Sequence, residues 1–467
     1  MTDRCDPRRC DPGSFAESHG HVPEPSLTKT RMCPLFKRII IGIIGIGVLG
    51  LFGFLALAWR PAITPIDPPA ATSFPAELIA QGKILAGAGY CAVCHTRLGG
   101  APFAGGYGLA TPFGTIYSTN ITPDPATGIG RWSQAAFTRA MHEGVARNGS
   151  HLFPAFPYDH FTRLSDDDVG ALYAYIMTRP PVSATPPPNA IPFPLNVRLL
   201  QEGWKLLFFT SGRYRADPAK TAEWNHGAYL AEGLSHCAGC HTPRNALGAE
   251  KVHDAYAGAV VDGWSAPALT DANPSPVPWT QNELFSYLRT GASPLHGVSA
   301  GPMSPVIHVG LAAVPDADIQ AEAVYFADVD RAAVRAPAAQ TVVTNALARS
   351  HLGSGQEYDQ DARLYAAACI ACHYNAGPDK LAVRPELALV SALTLPTPAN
   401  FIRIVLGGLA LEDGGPGLVM PGYAAALTDA DVARLARYLR RSRTDLPIWT
   451  DVDKQSAAIR EQLTVSR

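Results

Sequence analysis

The stretches CAVCH (91–95), CAGCH (237–241) and CIACH (369–373) repeat one five-residue pattern three times in a chain of 467 residues. Nine cysteines and 14 histidines placed at random predict far fewer than one such match. C-x-x-C-H is typical of covalent haem c attachment, in which two thiols bond the porphyrin edge and the histidine binds iron. One tight helical turn can present both sulfurs and the imidazole to one macrocycle. The sequence therefore predicts three haem c groups.

Two other uses of paired cysteines fit the pattern poorly. A structural zinc site needs four ligands, and these pairs lie more than 100 residues apart along the chain. A thioredoxin-like redox motif has no reason to occur three times with histidine following each time. The predicted attachment residues and iron ligands are Cys91, Cys94 and His95, then Cys237, Cys240 and His241, then Cys369, Cys372 and His373.

Methionine is the common sixth ligand of an electron-transfer haem, and the chain has only six methionines. Met303 lies in GPMSPV, downstream of the second motif, and Met420 lies in LVMPGY, downstream of the third. Neighbouring prolines stiffen both loops, which helps to hold a sulfur over iron. We expect these two methionines to be distal ligands; the alternative is that they only fill the core.

Each motif follows a helical pattern and is followed later by another, which predicts a small helical domain around each haem. The fold class is therefore all-α, with three tandem cytochrome c domains behind one N-terminal transmembrane helix. The predicted divisions are a disordered cytoplasmic segment (1–36), a transmembrane signal anchor (37–60), domain 1 (74–182), a Pro-rich linker (183–220), domain 2 (221–336), an Ala-rich linker (337–352), domain 3 (353–445) and a tail in strand or coil conformation (446–467).

The anchor prediction rests on residues 39–59, which carry no charge. At about 1.5 Å per residue this segment spans roughly 30 Å, one bilayer core, which is long for a signal peptide. Lys37 and Arg38 precede it, so the positive-inside rule places the N-terminus in the bacterial cytoplasm and the haem domains in the periplasm, on the inner membrane. A cleaved signal peptide is the alternative. With either an anchor or a cleaved signal peptide, Cys5, Cys10 and Cys33 are expected to stay reduced and to have no function.

Charge and motifs exclude several classes of function. With 38 basic and 40 acidic residues, the chain shows no concentrated basic character that would indicate a nucleic-acid partner. It has no G-x-G-x-x-G after a strand and no P-loop. Catalysis on an organic substrate is therefore expected in a partner subunit.

Beyond the three motifs, the sequence resembles the membrane-anchored tri-haem cytochrome c subunits of periplasmic alcohol, aldehyde and gluconate dehydrogenases, and of molybdenum hydroxylases of the nicotinate dehydrogenase type. The resemblance covers about residues 35–445. It is carried by these stretches: CHT (94–96), GG (105–106), PFGTIYSTNITPD (112–124), GIGRWS (128–133), LFPAFPY (152–158), FPLNVRLL (193–200), GWKLLFF (203–209), GAYLAEGLSHCAGCHTPRN (227–245) and MPGY (420–423).

The resemblance implies covalent haem at the three motifs, with Met303 and Met420 as distal ligands. It also implies electron transfer from a dehydrogenase catalytic subunit, which carries a molybdenum, flavin or quinoprotein cofactor, through three haems to ubiquinone or a terminal oxidase. The haems supply the redox chemistry, and the protein sets their ligation, spacing and exposure to water.

The sequence departs from this family in the first domain, where many relatives carry a distal methionine. Phe156 stands in that place and cannot bind iron. Four nearby side chains offer nitrogen or sulfur: Met141, His142, His151 and His160. His160 lies on the same proline-stiffened loop, so it is the favoured substitute ligand, and an open or water-ligated first haem is the alternative.

Three functions remain open from the sequence. The favoured one is an electron-transfer subunit of a membrane-bound dehydrogenase. A peroxidase-like enzyme would use an open first haem. A free-standing electron relay or haem sensor would have no dehydrogenase partner.

Overall fold

The computed structural model describes residues 34–352, 359–373, 385–410 and 420–465. The chain divides into two compact units, residues 1–57 and 58–467. The predicted disordered segment lies outside the described residues apart from its last three positions, and so do Cys5, Cys10 and Cys33.

The first unit contains helix α1, Pro34–Ala58, which continues one residue into the second unit. Its stretch Arg38–Ala58 is long and apolar enough to cross a membrane, by length and composition. The helix coincides closely with the predicted anchor, because a run of isoleucine, leucine and glycine without a charge or proline interrupts neither helix geometry nor apolarity.

The first haem motif lies between two helices that cross. Gly82 of α2 touches α4 so closely that an added Cβ would lie 2.0 Å from the Ala171 carbonyl oxygen. The Ser165 hydroxyl caps α4 by accepting a hydrogen bond from the Asp168 amide at 3.1 Å. The elements are α2 (Ala76–Ala88), the motif turn (Cys91–Cys94), β1 (Gly108–Thr111), β2 (Gly114–Tyr117), α3 (Gln134–Glu143), a turn (Tyr158–Phe161) and α4 (Asp166–Met177).

The second motif repeats this arrangement after a linker that holds helix α5. Gly227 of α6 meets α8, where an added Cβ would lie 1.9 Å from the Ala321 carbonyl oxygen. The elements are α5 (Gln201–Phe208), α6 (Ala222–Tyr229) with a π-helical continuation (Leu230–Leu234), the motif turn (Ala238–His241), β3 (Ala259–Val261), β4 (Trp264–Ala266), α7 (Gln281–Thr290), β5 (Ala292–Ser293), β6 (Gly297–Val298), turns at Met303–Pro305 and Val306–Gly310, and α8 (Asp316–Val329).

The third motif lies among helices that pack on α12. The elements are α9 (Ala332–Leu352), α10 (Gln360–Ala368), the motif turn (Ile370–His373), a turn (Ser391–Thr394), α11 (Ala399–Gly407), α12 (Asp429–Arg443) and α13 (Val452–Val465). Thr428 and Asp431 form a capping box at the start of α12.

The Ala-rich linker 337–352 is helical and belongs to α9, since alanine has the highest helix propensity, although Pro337 lies inside this helix. One predicted element is wrong in conformation. The tail is a helix, α13, rather than strand or coil. It folds back onto α11 and α12, where Ile459 is buried and Arg460 bonds Asp429.

The fold class was predicted to be all-α, and the structure is mostly helical. Within the described residues, three antiparallel hairpins interrupt the helices: β1–β2, β3–β4 and β5–β6. Each strand has only two to four residues. Strands this short cannot display the alternation by which a sequence indicates a sheet.

The helices around the first two motifs share one core. Leu85 and Leu172 from the first join Ile307 and Leu311 from the second in a single buried cluster. The helices around the third motif have their own cluster. They contact the β3–β4 hairpin, where the Arg403 guanidinium donates to the Gly263 carbonyl at 3.0 Å.

Candidate haem sites

The first motif forms one helical turn, with the His95 amide donating to the Cys91 carbonyl at 2.9 Å. The residue before it, Tyr90, has a left-handed backbone with φ of 35°, which ends α2 and redirects the chain into the motif. The second motif repeats this: His236 has φ of 33°, and the His241 amide donates to Cys237 at 3.0 Å. Each turn presents two thiols and one imidazole together.

Backbone carbonyls orient the first two motif histidines. His95 Nδ1 lies 2.7 Å from the Thr119 carbonyl oxygen, and His241 Nδ1 lies 2.7 Å from that of Pro267. A carbonyl only accepts, so Nδ1 carries the proton and Nε2 keeps its lone pair for a metal. Burial lowers the pKa of both rings, which keeps them neutral. Both carbonyls lie just after a hairpin, β1–β2 or β3–β4, so the hairpins aim the ligands.

The third motif is held by two tyrosines. Tyr365 on α10 donates its hydroxyl to the His373 carbonyl at 3.2 Å, and Tyr423 donates to the Ala368 carbonyl at 2.8 Å. Tyr423 also places the MPGY stretch against this motif, because Met420 and Cys369 pack on the same core cluster. The structure therefore brings the predicted distal methionine and the third motif to one core.

The motif cysteines are unbridged thiols. Partial burial raises the pKa of Cys91 to about 12 and that of Cys369 to about 11. Reactive or metal-binding cysteines have depressed pKa values instead. At the first two motifs, a pair of thiols beside an imidazole whose Nε2 keeps its lone pair is the donor set that covalent haem needs, so the residues fit the group.

Met303 begins the turn Met303–Pro305 and packs, partly buried, on the core that the first two motifs share. Met420 is also partly buried, and its backbone pairs with Leu409 through two hydrogen bonds of 2.9 and 3.2 Å. Met420 therefore lies against the core that holds Cys369 of the third motif. Met303 lies against the cluster that holds Cys91 of the first motif, whereas Cys237 of the second motif packs on a separate cluster.

Phe156 packs against the shared core and against the Phe161 ring, with centroids 5.3 Å apart. His160 lies beyond it with both ring nitrogens bonded: Nδ1 is 2.9 Å from the Glu232 carbonyl, and Nε2 is 2.9 Å from Glu250 Oε1. Iron ligation by His160 would therefore have to break one of these bonds. It stays a prediction.

The other three candidate ligands of the first haem also have packing or hydrogen-bond contacts. Met141 is buried in the shared core. His142 Nδ1 accepts from Arg213 at 2.6 Å, and His151 Nε2 donates to the Ala58 carbonyl at 2.7 Å.

The His160–Glu250 pair is an ion pair between the first two haem regions. Burial disfavours charge on His160, but the bond to Glu250 outweighs it and raises the pKa of His160. Burial likewise opposes charge on Glu250, yet the bond to His160 prevails and lowers the pKa of Glu250. Both shifts favour the charged pair, which ties the chain after Phe156 to the chain after the second motif.

One contact was not predicted from the sequence. The Tyr90 and His236 rings, each immediately before a motif, lie 4.4 Å apart between centroids. The Tyr90 hydroxyl also donates to the Ser235 carbonyl at 3.2 Å. An alignment of the three repeats would have indicated this contact. A ring residue precedes the first motif (Y-CAVCH) and the second (H-CAGCH), whereas Ala368 precedes the third.

Paired thiols next to oriented imidazoles, set in small helical cores, define the class of protein as a c-type cytochrome. Residues 79–180 match the family model of cytochrome c, and residues 356–439 match that of cytochrome c oxidase, cbb3-type, subunit III. The second motif lies between these two ranges.

Relatives identify the family. The chain is 37% identical over 399 residues to the fructose dehydrogenase cytochrome subunit of Gluconobacter japonicus, covering 80% of this chain and 81% of that protein. It is 36% identical over 435 residues to the gluconate 2-dehydrogenase cytochrome c subunit of Pantoea cypripedii, covering 90% and 95%. The chain belongs to the family of cytochrome c subunits of dehydrogenase complexes, and it is an electron-transfer protein of that family.

A further relative is a subunit of the nicotinate dehydrogenase of Pseudomonas putida, 45% identical over 447 residues. The match covers 94% of this chain but only 36% of that protein, so the chain spans about a third of its length.

Proposed function

We propose that the chain carries three covalent haem c groups, in tandem modules at 74–182, 221–336 and 353–445. The observation that carries this proposal is the repeated geometry. The first two motifs share a left-handed residue before the motif, a carbonyl on Nδ1 and a pair of helices crossing at glycine. The third shares the motif turn and a helix, α10, packed on α12.

The proposed iron ligands are His95, His241 and His373 on the proximal side, with Met303 and Met420 on the distal side of the second and third haems. Haem iron supplies reversible one-electron chemistry when bound. The chain's own work is to fix the imidazoles through carbonyl bonds, to hold the methionines in rigid backbone and to exclude water with aromatic side chains. These are the factors through which a protein sets the potential of a haem.

The distal position of the first haem is the open part of this assignment. The two bonds of the His160 ring support the alternative of an open or water-ligated iron over ligation by His160. The second repeat supports it too, because His308 follows Met303 by five residues much as His160 follows Phe156 by four. In the second repeat, a histidine at the corresponding position occurs together with the proposed methionine ligand. A histidine at this position therefore does not by itself indicate an iron ligand.

The electron donor is proposed to be the catalytic subunit of a dehydrogenase. The relatives' names include nicotinate, fructose, gluconate and alcohol dehydrogenases. A molybdenum, flavin or quinoprotein cofactor in that subunit would suit the cytochrome. The acceptor is proposed to be ubiquinone or a terminal oxidase, reached from the periplasmic face of the inner membrane by a single-pass protein that α1 anchors.

The first two haems are proposed to exchange electrons directly. The Tyr90–His236 contact joins the two motif turns, and residues around both motifs pack in one shared core. The third module joins the second through the bonds of Arg403 and Asn400 to the β3–β4 hairpin.

The experiment that tests the donor is isolation of the native complex. Adding the substrate of the co-purifying dehydrogenase should reduce all three haems before any acceptor is added. If the chain purifies without a dehydrogenase subunit, or its haems stay oxidised with substrate, the proposed role is wrong. A peroxidase-like role, suggested by Phe156, instead requires a high-spin first haem that turns over peroxide.

A further inference from the structure

The segment from Phe193 to Leu207 exposes an unusual amount of apolar surface. Fifteen large hydrophobic side chains are exposed among the described residues from Trp59 onward, and six belong to this segment. We name these six the apolar ledge: Phe193, Leu195, Val197, Leu200, Leu206 and Leu207. Phe193, Leu206 and Leu207 are 80%, 60% and 69% exposed. A patch of this kind normally marks a binding surface.

The exposed side chains belong to an ordered segment, because the opposite face of α5 packs against the first module. Glu202 and Lys205 are buried, and Lys205 Nζ donates to the Glu143 carbonyl at 2.5 Å and to the Gly144 carbonyl at 2.9 Å. With the polar face of the helix held inward, Leu206 and Leu207 are held outward.

The residues that follow the candidate membrane span are fixed beside this helix. His151 Nε2 donates to the Ala58 carbonyl at 2.7 Å, and the Arg60 guanidinium pairs with Glu202 of α5 at 3.1 Å. His151 also contacts Lys205, with Nδ1 and Nζ 3.1 Å apart. Ala58 is the last residue of the span, so the chain leaves the bilayer where it is bound to the neighbours of α5.

We infer that the apolar ledge lies in the interfacial layer of the lipid bilayer, as a second membrane contact in addition to the anchor. An eight-residue helix is about 12 Å long, so a helix paired with Arg60 stays within reach of the level at which the span ends. Side chains nearby have the chemistry of this layer. Trp59 is 68% exposed, and Trp204 donates its indole N–H to the Leu247 carbonyl at 3.0 Å.

This inference rests on the proposed anchor, and it commits to lipid rather than to a partner subunit as the occupant. Continuity with the span is the reason: a protein partner has no need to sit where the chain enters the membrane, whereas lipid is necessarily there. Two contacts would fix the orientation of the haem modules against the membrane, which a single flexible tether would not.

The test uses the full chain, in native membranes and in vesicles of mixed zwitterionic and anionic phospholipid. A phospholipid with a photoactivatable group near its headgroup is crosslinked, and labelled peptides are mapped by mass spectrometry. We expect label in both 39–59 and 193–208. Leu206→Glu with Leu207→Glu should reduce label in 193–208 several-fold, while the matched control of Val252→Glu with Val334→Glu, also highly exposed, should leave it unchanged.

The other outcomes overturn the inference in distinguishable ways. Label in 39–59 alone overturns the ledge and leaves the anchor standing. No label in either overturns both. Label in 193–208 in vesicles but not in native membranes shows that a partner subunit covers the ledge.

Discussion

At the scale of single residues, the candidate haem sites depend on the backbone carbonyls that bond to the motif histidines as much as on the motif residues. The carbonyl oxygens of Thr119 and Pro267 each lie 2.7 Å from Nδ1 of a motif histidine. This bond places the proton on Nδ1, so Nε2 would be the nitrogen that holds a haem iron, and it makes the imidazole a better electron donor. Backbone carbonyls cannot be mutated away, so the hairpins that position them are what the sequence must preserve.

Changing His160 separates a ligand from a structural ion pair. His160→Ala removes the hydrogen-bonded partner of the partly buried Glu250 carboxylate, which keeps only the longer contact to Arg244 at 3.6 Å. The loss of this charged hydrogen bond costs about 2 kcal/mol. From the two bonds of the ring we expect lower stability and an unchanged spin state of the first haem. Thermal unfolding and electron paramagnetic resonance measure the two effects.

Glu250→Gln is the control for His160→Ala, since it weakens the pair but leaves the imidazole in place. A change from low spin to high spin in His160→Ala that Glu250→Gln does not reproduce would establish His160 as the sixth ligand.

Replacing Met420 tests the distal ligand of the third haem. Met420→His should keep that iron low-spin and lower its potential by on the order of 0.1 V, within the range of about 0.8 V that axial ligands span. Potentiometric titration followed by visible spectra measures the shift. Met141→Leu replaces a buried core methionine and should leave every potential unchanged; equal effects of both variants would contradict the assignment.

At the scale of elements, the crossings of the opening and closing helices depend on glycine. Gly82→Ala places a Cβ 2.0 Å from the Ala171 carbonyl oxygen, so the two helices must separate. We expect a loss of about 2–3 kcal/mol in the free energy of unfolding and less haem in the first module. Chemical denaturation and haem content are the measurements.

Gly170→Ala is a matched control on the facing helix. The added Cβ would meet only the end of the flexible Gln134 side chain, at 3.0 Å. Because alanine favours a helix by up to about 1 kcal/mol over glycine, this variant should be neutral or slightly more stable. If the two variants behave alike, the crossings do not depend on Gly82.

The sequence predicts an element well when the pattern that indicates it lies within that element, and poorly when it depends on residues far apart in the chain. Apolar runs and helical periodicity act within one helix, and they predicted the long apolar helix α1 and the helices before and after the motifs. The hairpins that aim His95 and His241 are too short to show a pattern. The contact between Tyr90 and His236 joins positions far apart in sequence, so it depends on how two repeats pack, which periodicity does not encode.

At the scale of the whole molecule, buried neutral histidines make stability depend on pH. Burial lowers the pKa of His236 and of His296 to about 3. Between the ordinary histidine pKa and that value, the unfolded chain binds protons that the folded chain does not, so stability falls as pH falls from about 6.5 towards 3. His160, whose pKa is raised, acts oppositely and loses its contribution as pH rises.

We expect about 2 kcal/mol less stability per buried histidine at pH 4.5 than at pH 7. Denaturant unfolding at the two pH values measures the difference. His296→Gln, at a buried site stacked on Trp279, should flatten this dependence. An unchanged slope in that variant would show that His296 is not among the groups responsible.

The central claim is that this one chain holds three covalent haems, and intact-mass spectrometry of the mature protein tests it most directly. We predict the mass of the polypeptide plus three haems, with the loss of one haem when both cysteines of any single motif are changed to serine. A mature chain with two haems or fewer, or a motif whose removal leaves the mass of bound haem unchanged, would contradict the account.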